Sequence, residues 1–299
     1  MKILQEIKNL NVLFKAHPLW IGKPLKPWFR FIHFQLVSLF HKSPCTFNWV
    51  EPLKLVVPQR TGLTGNLYLG LMDFEEMFFL LHFLREDDQF LDVGANVGVY
   101  SLLASALTGA SSMAIEPVPE TFTRLREHVK LNGLEGKIEC INQGVGEEAG
   151  SLRFSTGSQD CLNHVVPVDS NDDTPSIQIP VTTLDAIHDR TSPAMMKLDI
   201  EGYEWHALKG AARLLEDRRL KAIVLEFNLH AERYGVSAQQ VEDLLRNAGF
   251  STYAYDPYRR TLNPTPFNTN GNSLWVRKAD EVASILKDAK SCSVYGHTL

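Results

Sequence analysis

Cysteine is scarce in this 299-residue sequence: Cys45, Cys140, Cys161 and Cys292 are scattered, with no Cys-x-x-Cys pair. That excludes a zinc ribbon or a disulfide framework and fits a reducing compartment. No uninterrupted apolar run approaches the roughly 18–20 residues that cross a bilayer. The first ten residues are amphipathic and lack the apolar stretch and cleavage site of a secretory signal, so a cytoplasmic protein is expected. Gly-x-Gly-x-x-Gly, the dinucleotide fingerprint, is missing, which disfavours a nicotinamide-dependent oxidoreductase. A net charge of −5 supplies no global basic field for nucleic acid. Internal repeats and low-complexity tracts are also missing.

What is present centres on Phe90-Leu-Asp-Val-Gly-Ala-Asn-Val-Gly-Val-Tyr-Ser. Phe90–Val93 is a short apolar run that reads as a buried strand, and residues 98–107 have helical spacing. Gly94 and Gly98 frame the turn between them. A strand that feeds a helix through a glycine turn brings backbone N–H groups and the positive helix end to a ligand.

From Gln89 onward strands alternate with helices. Strands at 89–93, 112–116, 137–142, 194–198, 222–227, 252–255 and 273–277 are separated mainly by helices at 98–107, 119–132, 203–215 and 237–248, with a last helix at 280–289. The pattern predicts an α/β fold: a Rossmann-like, doubly wound, mostly parallel seven-stranded sheet. Two strand-like pieces, 151–155 and 178–181, flank a polar loop at about 157–176, and a loop of that length is usually functional. The sequence divides into a helical extension (1–48), a hairpin and helix leading in (49–88) and the core domain (89–299). The extension holds seven Lys or Arg against the single acid Glu6, together with many aromatics. It is expected to be a helical cap, with contact at a membrane surface as the alternative.

Candidate chemistry gathers at the carboxyl ends of the strands, where ligands bind in open α/β sheets. Glu116 ends the second strand, 24 positions after Asp92, where an acid accepts hydrogen bonds from ribose hydroxyls. Pro117 shapes the loop beside it, and Asn142 and Gln143 end the third strand within reach of a base or a ribose. Lys197 and Asp199 share a side of the fourth strand and can pair, with Glu201 and Glu204 following. His164, in the polar loop, has a side chain whose ordinary pKa suits proton removal. A divalent metal on Asp199 and Glu201 is the less favoured variant.

The turn's order, Asp92-x-Gly94-x-Asn96-x-Gly98, resembles motif I of class I S-adenosylmethionine-dependent methyltransferases, with Asn96 where many members carry a glycine. Together with Ile115-Glu-Pro-Val-Pro-Glu-Thr-Phe122, Val181-Thr-Thr-Leu-Asp185, Lys197-Leu-Asp-Ile-Glu-Gly-Tyr-Glu-Trp-His-Ala-Leu-Lys-Gly-Ala211 and Val224-Leu-Glu-Phe-Asn228, it resembles the FkbM-type methyltransferases over roughly residues 60–280. The resemblance implies S-adenosylmethionine-dependent O-methylation of a sugar, polysaccharide, glycolipid or polyketide-type acceptor. It also implies cofactor contacts at Asp92, Gly94, Ala95, Asn96, Gly98, Tyr100, Ser101, Glu116, Pro117, Asn142, Gln143 and Asp199. The catalytic set is then His164 as first candidate base, Asp199 as second, Lys197 as its electrostatic partner, and Glu201. No resident metal is assigned. A nucleic-acid ribose methyltransferase is the alternative, against which the acidic balance weighs. Oligomeric state and the acceptor's identity are not encoded in these patterns.

Overall fold

A computed structural model describes residues 2–40, 44–58, 63–155, 165–166 and 175–299. The chain forms two compact units, residues 1–74 with 291–299, and residues 75–290.

The first unit contains α1 (Lys2–Ala16), α2 (Leu25–Phe40), the hairpin β1 (Cys45–Asn48) and β2 (Lys54–Val57), and α3 (Leu63–Leu69). Its core is aromatic. Phe34 packs on Phe47 and Tyr68, and Phe14 packs edge-on against Trp28 and Tyr68. Trp20 is fully buried and its indole N–H donates to the Leu69 carbonyl at 2.9 Å. The sequence predicts a glycine-punctuated hairpin over 49–70. The hairpin instead occupies 45–57, and residues 63–69 are helical. Gly65 stays in α3 despite its cost of ~1 kcal/mol against alanine. A Cβ there would meet the Met72 sulfur at 2.6 Å.

The second unit begins within α4 (Phe74–Phe83). It continues through β3 (Gln89–Val93), α5 (Val99–Leu103), β4 (Ser111–Ile115), α6 (Pro119–Leu131) and β5 (Ile138–Ile141). Then come β6 (Gly144–Val145), β7 (Gly150–Ser155), β8 (Ser176–Thr182), α7 (Leu184–His188) and β9 (Met195–Leu198). The unit ends with α8 (Glu204–Lys209), α9 (Ala212–Glu216), β10 (Ala222–Phe227), α10 (Ala238–Asn247), β11 (Ser251–Asp256), β12 (Thr261–Pro264), β13 (Gly271–Val276) and α11 (Ala279–Lys287). The last residues return to the first unit as the ladder β14 (Ser293–Val294) and β15 (His297–Thr298).

The main sheet has the order β12-β11-β13-β10-β9-β3-β4-β5, parallel from β10 to β5. Strands buried on both faces read as continuous apolar runs. Phe90, Leu91 and Val93, and Ala222 to Leu225, are at most 1% exposed. Each such aliphatic or aromatic side chain contributes roughly 1.5–3 kcal/mol by leaving water. β13 enters antiparallel between β10 and β11. The eighth strand, β12, is a short edge piece with two exposed residues, too polar to read as a strand in the sequence. A second sheet, β6-β8-β7, forms from the two strand-like pieces flanking the polar loop, β7 and β8, joined by the short β6.

From β3 the chain winds outward through β4 and β5, then returns to β9 on β3's other side. The winding direction therefore reverses between β3 and β9, and the crevice at their carboxyl ends is the expected ligand site of a doubly wound sheet.

Candidate active site

That crevice is a cleft of about 700 Å³. One wall is the strand-end set Gly94, Asn96, Glu116, Asp199 and Glu201. The opposite wall comes from the small sheet: Leu152, Phe154, Ile179 and Val181, with Val165 bridged to Phe154. The site is thus polar on one side and apolar on the other, as a nucleoside requires. The small sheet was legible as two strand pieces, but its role as a cleft wall was not.

The turn after β3 hangs from β4, because the N–H groups of Gly94 and Ala95 both donate to the Ile115 carbonyl at 2.9 Å. Gly94 has φ +81°, and a Cβ there would lie 1.8 Å from the Asp199 carbonyl oxygen. Asn96 has φ +49°, a left-handed conformation that asparagine tolerates better than most residues. This is why a non-glycine can stand at that point of the turn. Its N–H donates to Glu116 Oε2, while the Val118 N–H donates to Oε1, both at 2.9 Å. Glu116 is 6% exposed, and burial pushes its carboxyl up to about 7. Asn142 donates to the carbonyls of Glu116 and Pro117, fixing the loop that carries the acid.

Asp92 lies one layer below the cleft. Its Oδ2 accepts from the N–H and hydroxyl of Ser101 in the first turn of α5, and burial raises its pKa. Lys197, 4% exposed, donates to Asp199 and stands 4.9 Å from the Tyr100 ring. Of the sequence candidates, Gly94, Asn96, Glu116, Pro117, Gln143, Asp199 and Glu201 line the cleft. Asp92, Ala95, Gly98, Tyr100, Ser101, Asn142 and Lys197 do not, and several of them support the residues that do. His164 lies outside the described residues.

Two acids complete the rim. Glu226, at the end of β10, follows Leu225, the parallel partner of Leu198, and so stands beside Asp199; burial and then Asp199's charge raise its pKa. Sequence reading missed it as a site residue because the contact crosses strands; its signal was one acid ending an apolar run. Glu201, with φ +57°, stands 3.1 Å from His230 Nδ1, and burial and then the Asp199 charge push it up to about 8. Beneath them Glu204 Oε1 accepts the N–H groups of Ile200 and Gly202. Its other oxygen is buried without a partner, and burial lifts the group to about 7. Among the described residues, neither Lys, Arg nor His lines the cleft. Nor do three or more His, Cys, Asp or Glu group to hold a metal ion.

This acid excess, with the Glu116, Glu201 and Glu226 carboxyls all raised, fits a cationic ligand that carries a nucleoside. Residues 92–252 match the model of the methyltransferase FkbM domain, more than half of the chain. The chain belongs to the FkbM methyltransferase family. The activity class of FkbM domains is S-adenosylmethionine-dependent methyl transfer. The chain is 30% identical over 173 residues to the hexuronic acid methyltransferase AglP of Haloferax volcanii, a match covering 58% of this chain and 67% of AglP. Among solved structures it resembles the FkbM methyltransferase of Methylobacillus flagellatus (18% identity, TM-score 0.44), over 72% of this chain and 52% of that one. It also resembles TYW2 of M. jannaschii in complex with AdoMet (13% identity, TM-score 0.36), over 75% of this chain and 82% of that one.

Proposed function

We propose that this FkbM domain transfers methyl from S-adenosylmethionine to a hydroxyl of a sugar-containing acceptor, with the Asp199–Glu226 pair receiving the acceptor's proton. The observation that carries the reading is the convergence of Glu116, Asp199 and Glu226 on one rim at the switch point, with Lys197 as the buried counter-charge. AglP's acceptor, a hexuronic acid, makes a sugar the first acceptor class to test.

When bound, the cofactor supplies an electrophilic methyl on a sulfonium. Glu116 would accept the ribose hydroxyls with the oxygen lone pairs left by Asn96 and Val118. Gly94 admits a ligand close to the backbone, and the apolar wall from Leu152 to Val181 would cover the base. Asp199, held by Lys197, would face the reacting end. The Asp199–Glu226 pair would take up the hydroxyl proton as the acceptor oxygen gained the methyl and the carbon–sulfur bond broke. The products are a methyl ether and S-adenosylhomocysteine. Alignment and exclusion of water supply most of the rate. Proton removal adds ~10²–10⁴-fold. His164 remains the competing base by residue type.

The test is calorimetry with S-adenosylmethionine, followed by transfer of labelled methyl to sugar acceptors in wild type, Glu226→Gln and His164→Ala. The reading expects cofactor binding in all three and a large loss of turnover in Glu226→Gln. An unbound cofactor would remove the methyltransferase assignment, and full turnover in Glu226→Gln would remove the carboxylate pair as base.

Among the described residues no helix is long and apolar enough to cross a membrane. The surface of α2 supports a contact of another kind. Leu25, Phe29, Ile32, Leu36, Leu39 and Phe40 are all exposed, Phe40 by 83%. At helical spacing they share an arc of about 100°. Residues 1–48 carry a net +6, leaving −11 for the rest of the chain. An apolar stripe on a basic segment complements an anionic lipid surface, whereas a second copy would bring like charge to the same face.

A further inference from the structure

A second cavity of about 560 Å³ lies among the first turn of α4, β11 and β13. Its walls include Glu75, Glu76, Tyr253, Thr265, Asn268 and Asn272. Register connects it to the reacting centre. Asn272 is the direct antiparallel partner of Glu226, and paired residues share a face of the sheet. On the other side Leu225 pairs with Leu198, so Glu226 neighbours Asp199, which lines the cofactor cleft. One row of side chains along the carboxyl rim therefore leads from the cofactor cleft to this cavity.

The chemistry of the walls selects the ligand. Asn272 Oδ1 is buried with no hydrogen-bond partner, and a buried acceptor left bare costs ~1–3 kcal/mol. It is matched to a hydroxyl donor. Tyrosine, threonine and asparagine groups add neutral donors and acceptors, and the tyrosine rings offer faces for an aliphatic ring. Among the described residues, no Lys, Arg or His lines either cavity. A carboxylate brought here would lose its hydration beside Glu75 and Glu76, with no cation among the described lining residues to replace it.

We infer that this cavity is the acceptor subsite and takes an uncharged, polyhydroxylated sugar ring in preference to a uronate. The inference rests on the methyltransferase reading. It sets this chain apart from AglP in the charge of its acceptor, within the same reaction.

Saturation-transfer NMR on the full chain loaded with S-adenosylhomocysteine tests it. The probes are the methyl glycosides of glucose, galactose and mannose, compared with those of glucuronate and galacturonate. The expected result is saturation of at least one neutral glycoside, little or none of either uronate, and roughly tenfold weaker binding of the neutral sugar in Asn272→Leu. S-adenosylhomocysteine affinity in that variant reports an intact fold, and Tyr253→Phe carries the comparison if Asn272→Leu fails to fold. Stronger saturation of a uronate, no saturation of any glycoside, or neutral-sugar binding indifferent to the wall substitutions would each overturn the inference. Failure to bind S-adenosylhomocysteine at all would instead overturn the methyltransferase reading, and calorimetry separates the two.

Discussion

Gly94 and Asp199 approach so closely that a single added carbon on the first would fall 1.8 Å from the second's carbonyl oxygen. The Asp199 N–H donates to the Val93 carbonyl at 3.0 Å, so the two strand ends are locked together at the switch point. Gly94→Ala adds that clash to a left-handed φ, which alone costs roughly 1–2 kcal/mol. The expected outcome is a lowered melting temperature and loss of measurable S-adenosylmethionine binding, read by thermal unfolding and calorimetry.

Glu116 and Glu204 at about 7 and Glu201 at about 8 all sit above the ordinary carboxylate value, chiefly through burial. Between about pH 4.5 and 8 the folded chain therefore binds more protons than the unfolded chain, so these groups make stability fall as pH rises through that window. Urea unfolding of the cofactor-free protein should give a lower midpoint at pH 8 than at pH 6. Cofactor affinity should run the other way. Ribose hydroxyls favour ionised Glu116, so binding should strengthen by up to about tenfold from pH 6 to pH 8. Glu116→Gln should flatten that slope.

Glu204 separates hydrogen bonding from charge. Glu204→Ala leaves the Ile200 and Gly202 N–H groups unsatisfied and should cost about 1–3 kcal/mol of stability. Glu204→Gln keeps an acceptor for them and removes a buried charge, so at pH 8 it should be neutral or stabilising. Chemical denaturation of both variants checks the contrast.

Lys197 is the buried counter-charge to Asp199, with Asp92 also within its field. Lys197→Met should leave these acids uncompensated, lower stability and raise the apparent pKa of the rate profile, since Glu201 and Glu226, both held down by the Lys197 charge, would keep their protons to higher pH. A kcat–pH profile shifted to the alkaline side is the expected reading.

The α2 stripe predicts salt-sensitive binding to phosphatidylglycerol vesicles and little binding to phosphatidylcholine. Phe29→Ser with Leu36→Ser should abolish it while leaving S-adenosylmethionine affinity unchanged. Vesicle flotation measures the first and calorimetry the second.

The parallel strands were readable because burial on both faces leaves an unbroken apolar run, and the Lys197–Asp199 pair because strand period places alternate residues on one side. Contacts between strands were not readable in that way. The Glu226–Asp199 neighbourhood and the Glu226–Asn272 pairing depend on sheet order, which one chain's patterning does not specify. The 49–70 stretch misled through its glycines: in α3, packing outweighs the propensity cost of Gly65. Asn96 was noticed as a departure from a glycine-rich turn, and its φ of +49° gives the reason the turn accepts it.

Residues 291–299 rejoin the first unit, where the Tyr295 ring lies 3.1 Å from the Arg30 guanidinium that also faces Trp20. Topologically, the methyl-transferring unit is a guest inserted into a host built from both chain ends. Trimming the last nine residues should thus loosen the host more than the guest, and an exchange of guests at positions 75 and 290 would keep α2 and its exposed apolar stripe whole.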